Sequence, residues 1–276
     1  MTGIWTVIAA VSAFAASGLF GLWLVPFLRK IHFGQTIRDE GPKWHNTKQG
    51  TPIMGGFMFI FATIFVGTIC DLLYNSIAHP ELPLMNAKIY SGMFMAAAFG
   101  AIGFIDDYIK AVKKRNLGLT VIQKLVLQFL VAGAYLLTVF LFGGTTKTFI
   151  PFVGNIDIGI LYYPLSAILI VGVVNAVNLT DGIDGLNGSV TFFAAIFFML
   201  IAGYIGKIGV SIISASLAGA CLGFLLWNFN PAKVFMGDTG SLLLGGVISA
   251  MALYLQMTRK GSSSVPLLPE GSRERF

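Results

Sequence analysis

Long apolar runs separated by short polar connections dominate this chain. Eight of them approach or reach the roughly 20 residues a helix needs to cross a bilayer, near residues 3–28, 52–72, 88–105, 122–142, 161–177, 188–205, 209–227 and 240–257. They predict an all-α fold, a polytopic membrane helix bundle forming one integral membrane domain over residues 1–258. One interruption reads differently. Thr148 to Val153 and Ile156 to Ile160 flank Gly154-Asn155, a two-residue turn signal, so a small β-hairpin is expected near 148–160. Residues 29–51 form a polar loop closing on Gly50, Thr51 and Pro52, and 178–187 and 228–239 are short connections rich in Asn, Gly and Asp. After Arg259 and Lys260 the composition turns to Gly, Ser, Pro and Arg, which predicts a flexible tail over 259–276. No repeat of fixed period is present.

Composition strengthens the membrane reading: 56% of residues are hydrophobic and 11% charged, with a mean hydropathy of +0.81. The first run has no basic start, and Arg29 and Lys30 follow it, so it reads as an anchor rather than a cleaved leader. Cys70 and Cys221 lie within apolar runs and give no support for a disulfide, a metal cluster or a thiol nucleophile.

The net charge of +6 reads as topology, not as affinity for nucleic acid. Arg29, Lys30, Arg38, Lys43, Lys48, Lys110, Lys113, Lys114, Arg115, Lys124 and Lys233 all fall on one side of an eight-span arrangement. Lys88, Lys147 and Lys207 fall on the other. The positive-inside rule then places the N-terminus and the hairpin outside the cell.

Charge inside the runs carries the chemistry. Asp106 and Asp107, Asp181 and Asp184, and Asp238 each stand at the end of an apolar run, all on the expected cytoplasmic side. Ionisable groups in such places are functional candidates by default. Asp106-Asp107 with Lys110 suits metal-bound phosphate, since carboxylate oxygens hold a hard cation and the ammonium neutralises phosphate charge; a solvated helix end with a local ion pair is the plain alternative. Asn178 to Asn187 contains two Asp-Gly steps that serve equally for a turn or for nucleotide contacts. It has too few acidic ligands for a calcium-binding loop. Asp238-Thr239-Gly240-Ser241 reads like an aspartic-protease signature, but that fold needs paired β-rich lobes that this pattern lacks.

With these motifs in view, the chain resembles the polyprenyl-phosphate hexose-1-phosphate transferases from about residue 20 to 257. The resemblance rests on Asp106-Asp107 with Lys110, on Asn178 to Leu186 and on Phe235 to Ser241. Arg38, Gly41-Pro42, His45, Lys48, Gly50-Thr51-Pro52 and Met54-Gly55-Gly56 look like the muramoyl-pentapeptide branch. It implies transfer of phospho-N-acetylmuramoyl-pentapeptide from its UDP carrier to undecaprenyl phosphate in a bacterial plasma membrane, with Mg2+ required. By similarity Asp238 is the metal ligand, and Asp106, Asp107 and Asp181 are catalytic candidates. Asp106 would act as base on the lipid phosphate; direct attack and a covalent aspartyl route both stay open. Asn178, Asp181 and Asp184 would line the nucleotide-sugar site and Phe235 would stack on uracil. Lys48, Thr51, Lys110, Lys124 and Asn228 would contact ribose or phosphates. Gly245-Gly246 would serve a homodimer or packing within one chain.

The chain also departs from that family, which has ten spans and a histidine cluster after the ninth. Only eight runs are present, and His32, His45 and His79 lie elsewhere. Truncation or a frame shift near Lys260 is therefore expected, leaving either an active enzyme or a catalytically impaired fragment. A transporter using interfacial aspartates is the rival from another class; it calls for acids at mid-span.

Overall fold

A computed structural model describes residues 2–31, 50–78, 87–113, 117–142, 144–150 and 152–258. Among them are eight helices long and apolar enough to cross a membrane. They are α1 (Thr2–Lys30), α2 (the consecutive segments Phe57–Phe59, Ile60–Val66 and Gly67–Ala78), α3 (Ala87–Lys113), α4 (Val121–Leu141), α5 (Tyr162–Thr180), α6 (Leu186–Tyr204), α7 (Ile208–Asn228) and α8 (Gly237–Thr258). The Ile60–Val66 segment of α2 is π-helical.

Two helices form the centre. Along α7 nearly every side chain is enclosed, and α8 is mostly enclosed as well. α7 is wrapped by α1, α2 and α6, and α8 by α3 and α5. Lipid tails are as apolar as leucine, so close van der Waals packing rather than water exclusion must hold such helices together. Gly219 and Gly223 show how: α1 passes so near that a Cβ on Gly223 would lie 2.7 Å from Ser17 Cβ, and one on Gly219 would press on the Ala10 carbonyl. Trp227 Nε1–H donates to the Gly18 carbonyl at 3.1 Å and fastens the same seam.

Two expectations need correction. The third span does not stop at residue 105; α3 continues to Lys113 and carries Asp106, Asp107 and Lys110 inside it. The polar residues sustain the helix there because Lys110 pairs with Asp106 one turn earlier, at 2.5 Å. The hairpin exists, but its strands are β1 (Lys147–Ile150) and β2 (Gly154–Asp157), and Ile150 pairs with Gly154. The turn therefore precedes Gly154-Asn155. Val153 N–H donates to Ile150 C=O at 3.1 Å, and Phe152 takes a positive φ of 68°. The register of the two strands, with Gly154 already paired, leaves no room for a turn at Gly154-Asn155.

The hairpin leans on the far end of α8, where Gln256 donates to Thr148 Oγ1 at 2.9 Å. Asp157 accepts from the Thr146 hydroxyl and Gly159 N–H, which hold its carboxyl below the usual range. Toward the same end Asp71, fully buried in α2, accepts from Tyr90 of α3 at 2.8 Å and from Asn75 at 3.1 Å. That buried acid inside an apolar run is a lock between helices which the sequence reading passes over.

Candidate active site

Five chain segments gather around the start of α8 at the opposite end of the bundle. The first is α3, which brings Asp106 and Asp107, 2% and 3% exposed. Adjacent helical residues point about 100° apart, so the two acids serve different neighbours. Asp106 turns toward the α3–α4 connection, where its Oδ1 accepts Leu119 N–H at 2.7 Å. Asp107 turns toward α8. Its Oδ1 accepts Asp238 N–H at 3.1 Å, and its Oδ2 accepts Thr239 N–H at 2.9 Å and the Thr239 hydroxyl at 2.7 Å. The acid of one helix thus caps the start of another, satisfying donors that a helix N-terminus leaves open. α3 and α8 come this close because Gly103 has no side chain: a Cβ there would collide with the Asp238 carbonyl.

Lys124 enters from α4. A capping box sets its position, with Gln123 N–H donating to Thr120 Oγ1 at 3.2 Å and Thr120 N–H to Gln123 Oε1 at 3.0 Å. Its ammonium donates to Asp238 Oδ2 at 2.7 Å, and Lys110 reaches the same oxygen at 3.1 Å. From the last turn of α5, Asn178 Nδ2 donates to Asp238 Oδ1 and to Ser241 Oγ, both at 2.8 Å. Asp238, in the first turn of α8, is therefore the hub on which α3, α4 and α5 converge.

The fourth segment joins α5 to α6. Asp181 follows the end of α5 and is half-buried. Burial, then the charges of Asp238 and Asp107, push its carboxyl up to about 8. Asp184 accepts Ala232 N–H at 3.2 Å and braces the α7–α8 connection. Asn228 is buried, and both amide ends are spent on backbone: Gly185 N–H donates to its Oδ1 at 2.9 Å, and its Nδ2 donates to Val234 C=O at 2.9 Å.

The fifth segment, before α2, pairs with the strip before α8. Phe235 N–H donates to Pro52 C=O at 2.8 Å, Gly55 N–H to Phe235 C=O at 2.8 Å and Gly56 N–H to Met236 C=O at 3.0 Å. This short ladder sets Phe235 beside the Thr51–Gly56 stretch. Buried Met54 adopts a positive φ of 74° there, a strained backbone of the kind that gathers at working sites.

Asp106, Asp107, Lys110, Lys124, Asn178 and Asp238 are thus joined directly, Asp181 is coupled to them by charge, and Asp184, Asn228, Phe235 and Thr51 lie on the surrounding connections. Lys48 lies outside the described residues, as do His32, His45, His79 and the 259–276 tail. Thr239, Ser241, Gln123, Asn187 and Thr191 also belong to this end. Asn187 donates to Val177 C=O at 3.0 Å and accepts from Thr191 at 3.2 Å, closing the α5–α6 connection. The Thr-x-x-Gln spacing of Thr120 and Gln123 is a local signal for the cap; the other contacts have none.

Oxygens of Asp106, Asp107 and Asp238 all lie within 4.8 Å of one another. An all-carboxylate donor set suits a hard divalent cation. The arrangement offers clustered negative charge for a metal, two ammonium groups for an anion, and a protonatable carboxyl at the rim.

Comparison with known proteins agrees with this chemistry. Residues 89–256 match the model of glycosyl transferase family 4. The chain is 42% identical over 252 residues to a phospho-N-acetylmuramoyl-pentapeptide-transferase of Clostridium perfringens, covering 91% of this chain and 74% of that protein. It is 44% identical over 250 residues to one from Heliobacterium modesticaldum, covering 89% and 73%. A third, from Halalkalibacterium halodurans, is 46% identical over 233 residues, covering 83% and 68%. The family match runs from α3 through α8 and takes in every acid of the site, and the chain therefore belongs to glycosyl transferase family 4, alongside the phospho-N-acetylmuramoyl-pentapeptide transferases.

Proposed function

We propose that this membrane transferase moves phospho-N-acetylmuramoyl-pentapeptide from its UDP carrier to undecaprenyl phosphate, releasing UMP. The observation that carries this reading is the convergence of Lys110, Lys124 and Asn178 on Asp238 beside Asp106. A phosphoryl transfer between two anions needs charge neutralisation and alignment far more than covalent help, and this cluster supplies both at a bundle end that a soluble and a membrane-embedded substrate can share.

Asp238 would hold Mg2+; such a cation polarises phosphoryl oxygens and offsets the charge that develops on them. Lys110 and Lys124 would neutralise the remaining phosphate oxygens. Asp106 is the acid we assign as base toward the lipid phosphate. Asp181 would line the nucleotide-sugar site, its carboxyl raised by burial and by the charges of Asp238 and Asp107 while no metal offsets them. Asn178 and Asp184 would border the nucleotide-sugar, Phe235 would stack on uracil, and Thr51 and Lys48 would complete the phosphate side. Asn228, with both amide ends engaged, shapes the connection that presents these groups. The basic loops favour the cytoplasmic face for this end, with the N-terminus outside.

The test is transfer of labelled UDP-N-acetylmuramoyl-pentapeptide to undecaprenyl phosphate by the purified protein, with Mg2+ and with chelator. UMP release matched to lipid product, lost on chelation and restored by Mg2+, is the expected result. Turnover that persists in chelator removes the metal from the reading, and an absence of transfer means either a catalytically impaired protein or other substrates.

The raised Asp181 carboxyl has a consequence for stability. Its unfolded form titrates near 3.8 and its folded form near 8, so between these values the folded protein binds the extra proton. Stability from this group is present below the lower value and is lost as pH rises through the upper one. In chelator, the melting temperature is expected to fall from pH 5 to pH 8, and Asp181→Asn should flatten that slope. An unchanged slope in the variant would remove Asp181 as its source.

A further inference from the structure

One polar contact lies deeper in the bundle than the site and belongs to none of the roles above. Gln128 of α4 is fully buried. It faces Asn175 of α5 in a reciprocal amide pair: Asn175 Nδ2 donates to Gln128 Oε1 at 2.7 Å, and Gln128 Nε2 to Asn175 Oδ1 at 3.4 Å. Asn175 Nδ2 also donates to Val171 C=O at 2.8 Å. Both residues sit within membrane-crossing helices, where no water competes for their amides.

Their positions on the two helices matter more than the bonds. Gln128 is four residues after Lys124 and Asn175 is three before Asn178, so each lies on the same helix face as its neighbour and one turn deeper. Lys124 and Asn178 are the contributions of α4 and α5 to Asp238, one on each carboxylate oxygen. The buried face of α4 continues through Ala132, Tyr135, Leu136 and Val139, apolar or aromatic side chains without an amide to fix a register. The amide pair has one register only. A shift of one residue along α4 or about its axis would break both bonds and leave amides unsatisfied in an apolar setting.

We infer that the Gln128–Asn175 pair is a positioning device that locks α4 against α5 so that Lys124 and Asn178 meet the two oxygens of Asp238 together. Gln128 touches no reacting atom; it acts through Lys124. The turnover part of this inference rests on the transferase reading, whereas the register part does not.

The experiment compares Gln128→Met with the double variant Gln128→Met/Asn175→Leu. The single variant strands one amide and should lower both melting temperature and kcat. The double variant strands none, so its melting temperature should return toward that of the unaltered protein. Its kcat should stay about tenfold to a hundredfold down, the scale on which small misplacements act, with KM for the nucleotide substrate within about twofold. A parallel arm places nitroxide labels at exposed positions 121 and 179 and measures their distance distribution, which should broaden in both variants. Full recovery of kcat in the double variant, or an unbroadened distribution, overturns the inference and leaves the pair as interhelical glue. If the unaltered protein shows no transfer, the transferase reading fails and the label arm still decides the register.

Discussion

Replacing Asp238 with asparagine is expected to cut Mg2+-dependent transfer by about a thousandfold or more, the upper range for losing one preorganised electrostatic group. Asparagine preserves the size of the side chain and one oxygen, so Asn178 keeps an acceptor. The lost charge is what Lys110 and Lys124 gather around, at 3.1 and 2.7 Å. Lys110 retains Asp106 as a partner, and the variant should therefore stay folded. Initial rates at saturating substrates, with a Mg2+ titration and a melting curve on the same preparation, give the answer. Turnover within tenfold of the unaltered enzyme would remove Asp238 from the centre of the reaction.

Asp107→Ala is expected to act by a different route. Its carboxylate accepts from Asp238 N–H, Thr239 N–H and the Thr239 hydroxyl while only 3% exposed. Removal strands buried donors at the first turn of α8. A lost cap and an unsatisfied buried N–H each cost about 1–2 kcal/mol, which suggests about 3 kcal/mol in all. Asp238 rides on that turn, so turnover should fall with stability. Thermal or denaturant unfolding of the purified variant measures the first and the transfer assay the second. A variant as stable as the unaltered protein would show that the cap is unnecessary. The pair of experiments separates two neighbouring kinds of acid: one whose loss silences a folded enzyme, and one whose loss loosens the helix that carries the chemistry.

That separation shows where sequence reading stops. Apolar runs expose the spans because each run reflects its own local environment, and the gathering of Asp106, Asp238 and Asn178 follows from which ends of alternating helices share a side. Which way each side chain points does not follow. Asp106 and Asp107 are indistinguishable as letters, yet one bonds the α3–α4 connection beside the Asp238 carboxylate and the other caps the first turn of α8. Asn228 looks like a substrate contact in its motif, and only the fold shows its amide spent on Gly185 and Val234. Gly154-Asn155 has turn composition, yet strand pairing takes Gly154 into β2. Asp71, Gln128 and Asn175 were legible in principle, being polar letters inside apolar runs. Their partners, set by helix register, were not.

The seam between α1 and α7 bears on how the protein is made. Trp227 closes on Gly18 across 209 residues of chain, so α1 is made long before α7 and must remain in lipid, its small-residue face uncovered, until α7 arrives. Helix α8 follows later still and brings Asp238 with it. Order of synthesis and order of assembly are thus different, and the acidic hub exists only once α8 has been inserted. Until then Lys110 and Lys124 lack the carboxylate that draws them together.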